Sequence, residues 1–235
     1  MNLALSCCSP VTTSENILDA RIPQEKVGQL YDRIAGVYDL WGYMTESRAR
    51  MRALELAGIT NGQSIVEVAC GTGLAFYEIV KRNPDGKNSG IDISKGMLDK
   101  AGKRLAKLPP SNYSLIHGTA FHLPFENGST DILVNNYMFD LIHYDEMDAI
   151  IREFKRILRI GGKIVLVNMT NYESFLGRVF LSKVSTALYN LSPQTIGGCR
   201  GVQLSDKLKE NGFHILTREY IQQMLFPSEV ILAIQ

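Results

Sequence analysis

No apolar run in this 235-residue chain approaches the ~18–20 residues that a bilayer span needs. The first residues, "MNLALSCCSPVTTSEN", lack the basic n-region and the ~7–15-residue apolar core of a secretion signal. Residues 1–23 are therefore expected to form a flexible tail, and the protein to be cytoplasmic. Excess charge of one sign is also missing. The 25 basic and 24 acidic side chains nearly cancel, with no like-charged block, so a nucleic-acid partner is not expected. The four cysteines, Cys7, Cys8, Cys70 and Cys199, show neither a Cys-x-x-Cys spacing nor a Cys/His cluster. That argues against a zinc site and leaves reduced thiols as the simplest reading. No metal is expected, no internal repeat or low-complexity stretch appears, and no Ser/His/Asp or Cys/His grouping suggests covalent catalysis.

What is present is an alternation of short buried runs with helical periodicity, the pattern of strands and helices around a mostly parallel sheet. "SIVEVA", "NSGIDI", "YSLIHG", "DILVNNYMF" and "KIVLVNM" read as five strands. Between them, "LAFYEIVKR" and "KGMLDKAGKRLAKL" read as helices, the second capped by Ser94. A further helix opens at Asp145, carries Ile150, Ile151, Phe154, Ile157 and Leu158 on one face, and is expected to end at Gly161-Gly162. "VQLSDKLKENG" supplies the next helix. "FHILTREYI" and "SEVILAI" form an antiparallel pair joined by a segment containing Pro227. Residues 24–235 are expected to make one domain, with helices over 24–60 ahead of the first strand and a helical insertion over 171–202. The apolar stripe of Tyr172 to Leu191 suits either core packing or a cover over a hydrophobic small molecule.

Chemistry concentrates at "SIVEVACGTGLAF". Gly71 and Gly73 leave the backbone bare where a strand turns into a helix, so a ligand can approach the main chain and the helix amides. Asp92 ends the next strand, where a carboxylate can take both hydroxyls of a ribose. An NAD site would need a third glycine, but position 76 is Phe, and no basic residue stands ready for a pyrophosphate. A nucleoside without phosphates suits the turn better. Glu67 places a carboxylate in an apolar strand and so requires a partner, either a cationic amino group or the loop amides.

Together "VEVACGTGLAF", "GIDISKGML", "HGTAFHLPFENGSTDILV" and "RILRIGGKIVLVNM" resemble the class I S-adenosylmethionine-dependent methyltransferases. Within that class they are most similar to the branch holding the ubiquinone/menaquinone biosynthesis C-methyltransferases and the bacterial phosphatidylethanolamine N-methyltransferases. The match runs from about Tyr31 to Met169 and includes the Tyr-Asp helix "YDRIAGVYDLW". It implies a doubly wound, seven-stranded Rossmann-like α/β sheet with an antiparallel last strand and helices on both faces. The implied cofactor is S-adenosylmethionine, leaving as S-adenosylhomocysteine.

By position, the resemblance implies that Glu67, Ala69, Gly71, Thr72 and Gly73 wall the methionine part and that Asp92 holds the ribose. Ile93 and Met97 would flank the adenine, with Thr119 and Ala120 at its amino edge. Asn136 and Tyr137 would lie near the sulfonium and the acceptor. Thr119 stands where the family usually has a carboxylate.

Methyl transfer needs positioning and water exclusion more than a covalent catalyst. Tyr31 and Tyr38, seven apart on one helix face, are candidates to cover the cofactor. Asn135 and Asn136 must point to opposite strand faces, and Asn136 is the one expected to face the cofactor. His143 is the candidate base, with a surface position as its alternative, and His122 is read as a surface residue. Arg200, in the glycine-rich stretch "GGCRG", is the candidate anion ligand for the acceptor. The expected acceptor is small and partly hydrophobic, a quinone-like ring or a lipid amine, with at most transient membrane contact. A catalytically silent S-adenosylmethionine sensor or assembly subunit is the alternative.

Overall fold

A computed structural model describes Asp39 and residues 42–170, 200–224 and 226–235. The expected tail, the first cap helix with Tyr31 and Tyr38, and residues 171–199 of the expected cover lie outside the described residues.

Seven strands form one sheet: β1 (Ser64–Val68), β2 (Lys87–Asp92), β3 (Tyr113–His117), β4 (Thr130–Asn136), β5 (Leu158–Met169), β6 (His214–Gln223) and β7 (Phe226–Ile234). Their spatial order is 3-2-1-4-5-7-6. Neighbours from β3 to β5 run parallel, and β7 runs antiparallel to both β5 and β6. The doubly wound sheet with a reversed last strand is thus the one expected. The chain leaves β1 toward β2 on one side and reaches β4 on the other. That reversal opens a crevice beyond the carboxyl ends of β1, β2 and β4, where ligands bind in sheets of this kind.

Helices cover both faces. On one side pack α1 (Ser47–Ala57) and α2 (Leu74–Arg82), the first through Ala49, Ala53, Leu54 and Ala57 and the second through Ala75, Phe76, Ile79 and Val80. They meet Ile65, Ile132, Val134, Val165 and Val167, the alternate residues of β1, β4 and β5. Between β2 and β3 lies α3 (Lys95–Leu105), whose Ser94 hydroxyl caps it by accepting from the Met97 amide at 3.0 Å. On the opposite face α4 (Met147–Ile157) and the short α5 (Ser205–Glu210) pack against Val66, Val68, Leu133, Ile164 and Leu166. Phe154 of α4 meets Phe139 edge to face at 5.9 Å.

Two expected boundaries move. The helix ends at Ile157, and Gly161-Gly162 lie inside β5, not at the helix end. Gly161 donates to the Gln235 carbonyl and Gly162 accepts from the Gln235 amide. Pairing with a residue more than seventy positions away, which no local turn signal reveals, decides the matter. Pro227 likewise belongs to β7, opposite Gln222, and its carbonyl accepts from Thr170.

Candidate active site

The crevice is shaped by the turn after β1. Ala69 (φ 57°), Gly71 (φ 54°) and Gly73 (φ 78°) all adopt the left-handed conformation, which bends the chain sharply into α2. A Cβ on Gly71 would meet no atom within 4 Å, whereas one on Gly73 would stand 3.0 Å from the Ala101 Cβ. The first glycine therefore faces open space, and the second lets α3 approach the loop.

Asp92 ties the turn to β2. Its Oδ2 accepts from the Gly71 amide at 2.7 Å and its Oδ1 from the Ser94 amide at 2.9 Å, while the Cys70 amide donates to the Ile91 carbonyl. Both carboxylate oxygens thus stand at the mouth of the turn, at the carboxyl end of β2.

Two cavities meet at Ala69, which lines both. The first is mostly apolar, with Ile91, Ala120, Met138 and Ile142 in its wall and Asp92, Ile93 and Thr119 at its edge. The second is more polar, with Glu46, Arg50, Glu67, Asn136 and Tyr137 facing the glycine turn and Thr72.

In the second cavity Asn136 donates to Glu67 Oε1 at 2.9 Å. Glu67 Oε2 and Asn136 Oδ1 are buried with no hydrogen-bond partner. Burial pushes the Glu67 carboxyl up to about 8, opposed by Asn136 and Arg50. Glu46 is pushed up to about 7 by burial, opposed by Arg50, whose Nη1 lies 3.7 Å from its Oε2. The Tyr137 hydroxyl bonds Ser228 Oγ at 2.7 Å, and burial raises it well beyond the ordinary phenol range. Cys70 is buried, with its thiol raised by burial and by Glu67 and Asp92, as befits a packing residue.

Strand alternation separates the paired asparagines as expected. Asn136 shares the α1 face with Glu67, while Asn135 points the other way and donates to the Val68 carbonyl at 2.8 Å.

Three expected residues, Met97, His143 and Arg200, line neither cavity, and Thr119 lines the first but has its hydroxyl engaged. Met97 is buried and lines neither cavity, because its side chain follows the Ala101 and Leu105 stripe of α3 into the protein. Thr119 reaches the edge of the first cavity, but its hydroxyl accepts from the Phe121 amide at 3.0 Å. His143 precedes a 3-10 turn, Tyr144–Glu146, and lines neither cavity; the titratable groups there are Glu46, Arg50, Glu67, Cys70, Asp92 and Tyr137. Arg200 is not an exposed loop cation. It is buried and donates through Nη2 to the Ile142 carbonyl at 2.5 Å, with Asp140 close enough to feel its charge.

The sequence reading did not select Glu46 and Arg50, although their i,i+4 spacing on the helix before β1 was visible. It also passed over Asp140, fully buried with its carboxyl raised by that burial and accepting from the Met169 amide.

Residues 65–162 match the family model described as "Methyltransferase domain". With the strand order and the glycine turn, that match defines a class I S-adenosylmethionine-dependent methyltransferase domain, and the enzyme class is S-adenosylmethionine-dependent methyl transfer. Among curated relatives, the chain is similar to a demethylmenaquinone methyltransferase of Lactococcus lactis subsp. lactis (strain IL1403), 26% identical over 181 residues, or 68% of this chain and 71% of that protein. Among solved structures, the [4+2]-cyclase SpnF superposes with a TM-score of 0.69 at 17% identity, covering 92% of this chain and 98% of that one. A "SAM dependent methyltransferase" from Aquifex aeolicus gives a TM-score of 0.58 at 15% identity, covering 92% and 100%. The structural likenesses speak for the fold, which by itself does not choose the acceptor.

Proposed function

We propose that this protein methylates a small, partly hydrophobic acceptor, and that its two joined cavities hold S-adenosylmethionine across Ala69. The observation that carries the reading is the pair of partnerless buried acceptors, Glu67 Oε2 and Asn136 Oδ1, facing a polar cavity beside Arg50. Buried acceptors without donors are costly, and the ammonium of an amino acid would satisfy both. Arg50 would then pair with the carboxylate of the same amino acid. Asp92 would accept from the ribose hydroxyls, and the apolar cavity would enclose the adenine.

When bound, the cofactor supplies an electrophilic methyl on a sulfonium. The residues of this chain would orient it and exclude water. Asn136 and Tyr137, at the end of β4 and in the wall of the second cavity, would lie near the sulfonium and the acceptor. Tyr38 would cover the sulfonium with its ring.

A quinone-like ring is the favoured acceptor, because the curated relative named above is a demethylmenaquinone methyltransferase by name; a lipid amine is the alternative. Among the described residues no helix is long and apolar enough to cross a membrane. The proposed enzyme would work in the cytoplasm and meet a lipid-like acceptor by transient contact.

Calorimetric titration with S-adenosylhomocysteine tests the cofactor reading, and no heat up to millimolar concentration would overturn it. Transfer of labelled methyl to quinone-like phenols, to lipid amines and to extract metabolites then tests the acceptor. Label on no acceptor, with the product bound, would favour the silent sensor.

A further inference from the structure

The glycine turn has a second set of ties on its far side. Thr72, 1% exposed, lies between the two left-handed glycines. Its hydroxyl donates to Asp39 Oδ1 at 2.5 Å, while its carbonyl accepts from Arg104 Nε at 2.9 Å. Arg104 Nη2 in turn donates to Asp39 Oδ2 at 2.6 Å. Three stretches of chain thus close a triangle of charge-assisted bonds around one loop residue: the segment before α1, the turn after β1, and the last turn of α3.

The geometry calls for such ties. Three of the five residues from Ala69 to Gly73 have positive φ, one of them alanine, whose Cβ makes that conformation unfavourable. A loop of this shape does not enforce itself. Asp92 fixes the Gly71 amide from the front, and the Asp39 triangle fixes Thr72 from behind. The ion pair is half-exposed, with side chains 27% and 41% accessible for Arg104 and Asp39. A pair that open to solvent contributes little to global stability. What it holds is local shape.

We propose that Asp39 is a positioning residue for the cofactor. Its carboxylate, tied to the Thr72 hydroxyl and to Arg104, locks the glycine turn in the shape that admits the ligand. Cofactor affinity, more than folding, depends on the clasp. The inference rests on reading the glycine turn as the cofactor wall.

The test measures S-adenosylhomocysteine affinity by calorimetry, beside the melting temperature without ligand. Asp39→Ala and Thr72→Val should each weaken binding about tenfold or more, as expected for losing bonds to a charged group. Thr72→Ser, which keeps the hydroxyl, should restore what Thr72→Val loses. Melting of ligand-free Asp39→Ala should fall by no more than about 3 °C. Asp39→Ala combined with Arg104→Met should bind about as weakly as either single change, because all break one triangle.

Wild-type affinity in Asp39→Ala would overturn the proposal, as would equal loss in Thr72→Ser and Thr72→Val. A drop in melting temperature without a change in affinity would show a structural tie only. If the wild-type protein itself does not bind, the cofactor reading fails first; if it binds and Asp39→Ala binds as well, only the clasp fails.

Discussion

At the scale of single residues, the polar cavity is governed by one carboxyl held against its nature. Glu67 sits in a parallel strand between Gly90 and Val134, and burial raises it to about 8. Near neutral pH it is largely protonated. An ammonium placed beside it favours the ionised form, so binding should release a proton and strengthen as pH rises from about 6.5 to 8.5. Titration of S-adenosylmethionine at both pH values, in buffers of different ionisation heat, measures this. Glu67→Gln should bind more weakly at the higher pH and show a nearly flat profile. The need for a partner for Glu67 was legible in the sequence, since a carboxylate in an apolar strand rarely stands alone. The identity of the partner was not, because Asn136 is 69 positions away and meets it only through the β1/β4 register.

At the scale of elements, the strand–turn–helix unit contains two glycines with separate duties. Gly71 faces open space with φ 54°, and Gly73 is pressed against Ala101 with φ 78°. Gly73→Ala should destabilise the fold, since α3 must shift to accept a Cβ 3.0 Å away. Gly71→Ala should cost only the strain of its backbone conformation, ~1–2 kcal/mol, but should weaken the cofactor more than Gly73→Ala does at equal folded fraction. Urea unfolding paired with ligand titration separates the two. Equal affinity loss for both would mean that the space over Gly71 is not ligand space. The sequence marked both glycines alike, because a Gly-x-Gly pattern carries no information about which Cα faces α3. It did resolve the amphipathic face of α4, whose Ile150, Ile151, Phe154 and Ile157 are all buried as read. It misplaced the end of that helix, where pairing with Gln235 outweighs the local glycine signal.

For the molecule as a whole, buried carboxyls set how stability follows pH. Glu46 and Glu67 have folded values of about 7 and 8, above the ordinary carboxylate range, and Asp140 is raised as well. The folded protein therefore binds more protons than the unfolded chain between that range and about pH 8, and stability falls as pH rises across this window. Asp148 and Glu153 act in the opposite sense. Lys207 and Arg156 lower them, so their contribution is lost as pH falls through their folded values. Maximal stability is expected near about pH 5–6, with urea midpoints lower at about pH 8. Glu67→Gln should raise the midpoint at the alkaline end and leave the acid end nearly unchanged. A wild-type midpoint that climbs steadily from pH 5 to 8 would contradict the burial of these groups. Strand and helix periodicity, the bare turn and the strand-end carboxylate are local in the chain, so the sequence by itself determined the layered α/β architecture and the class of cofactor site. Tertiary structure alone decided that Arg200 is buried, that His143 stands off the cavities, and that Glu46, Arg50 and Asp39 converge on the glycine turn. The physical reason is that burial and pairing depend on which distant backbone closes over a side chain, and no local pattern carries that information.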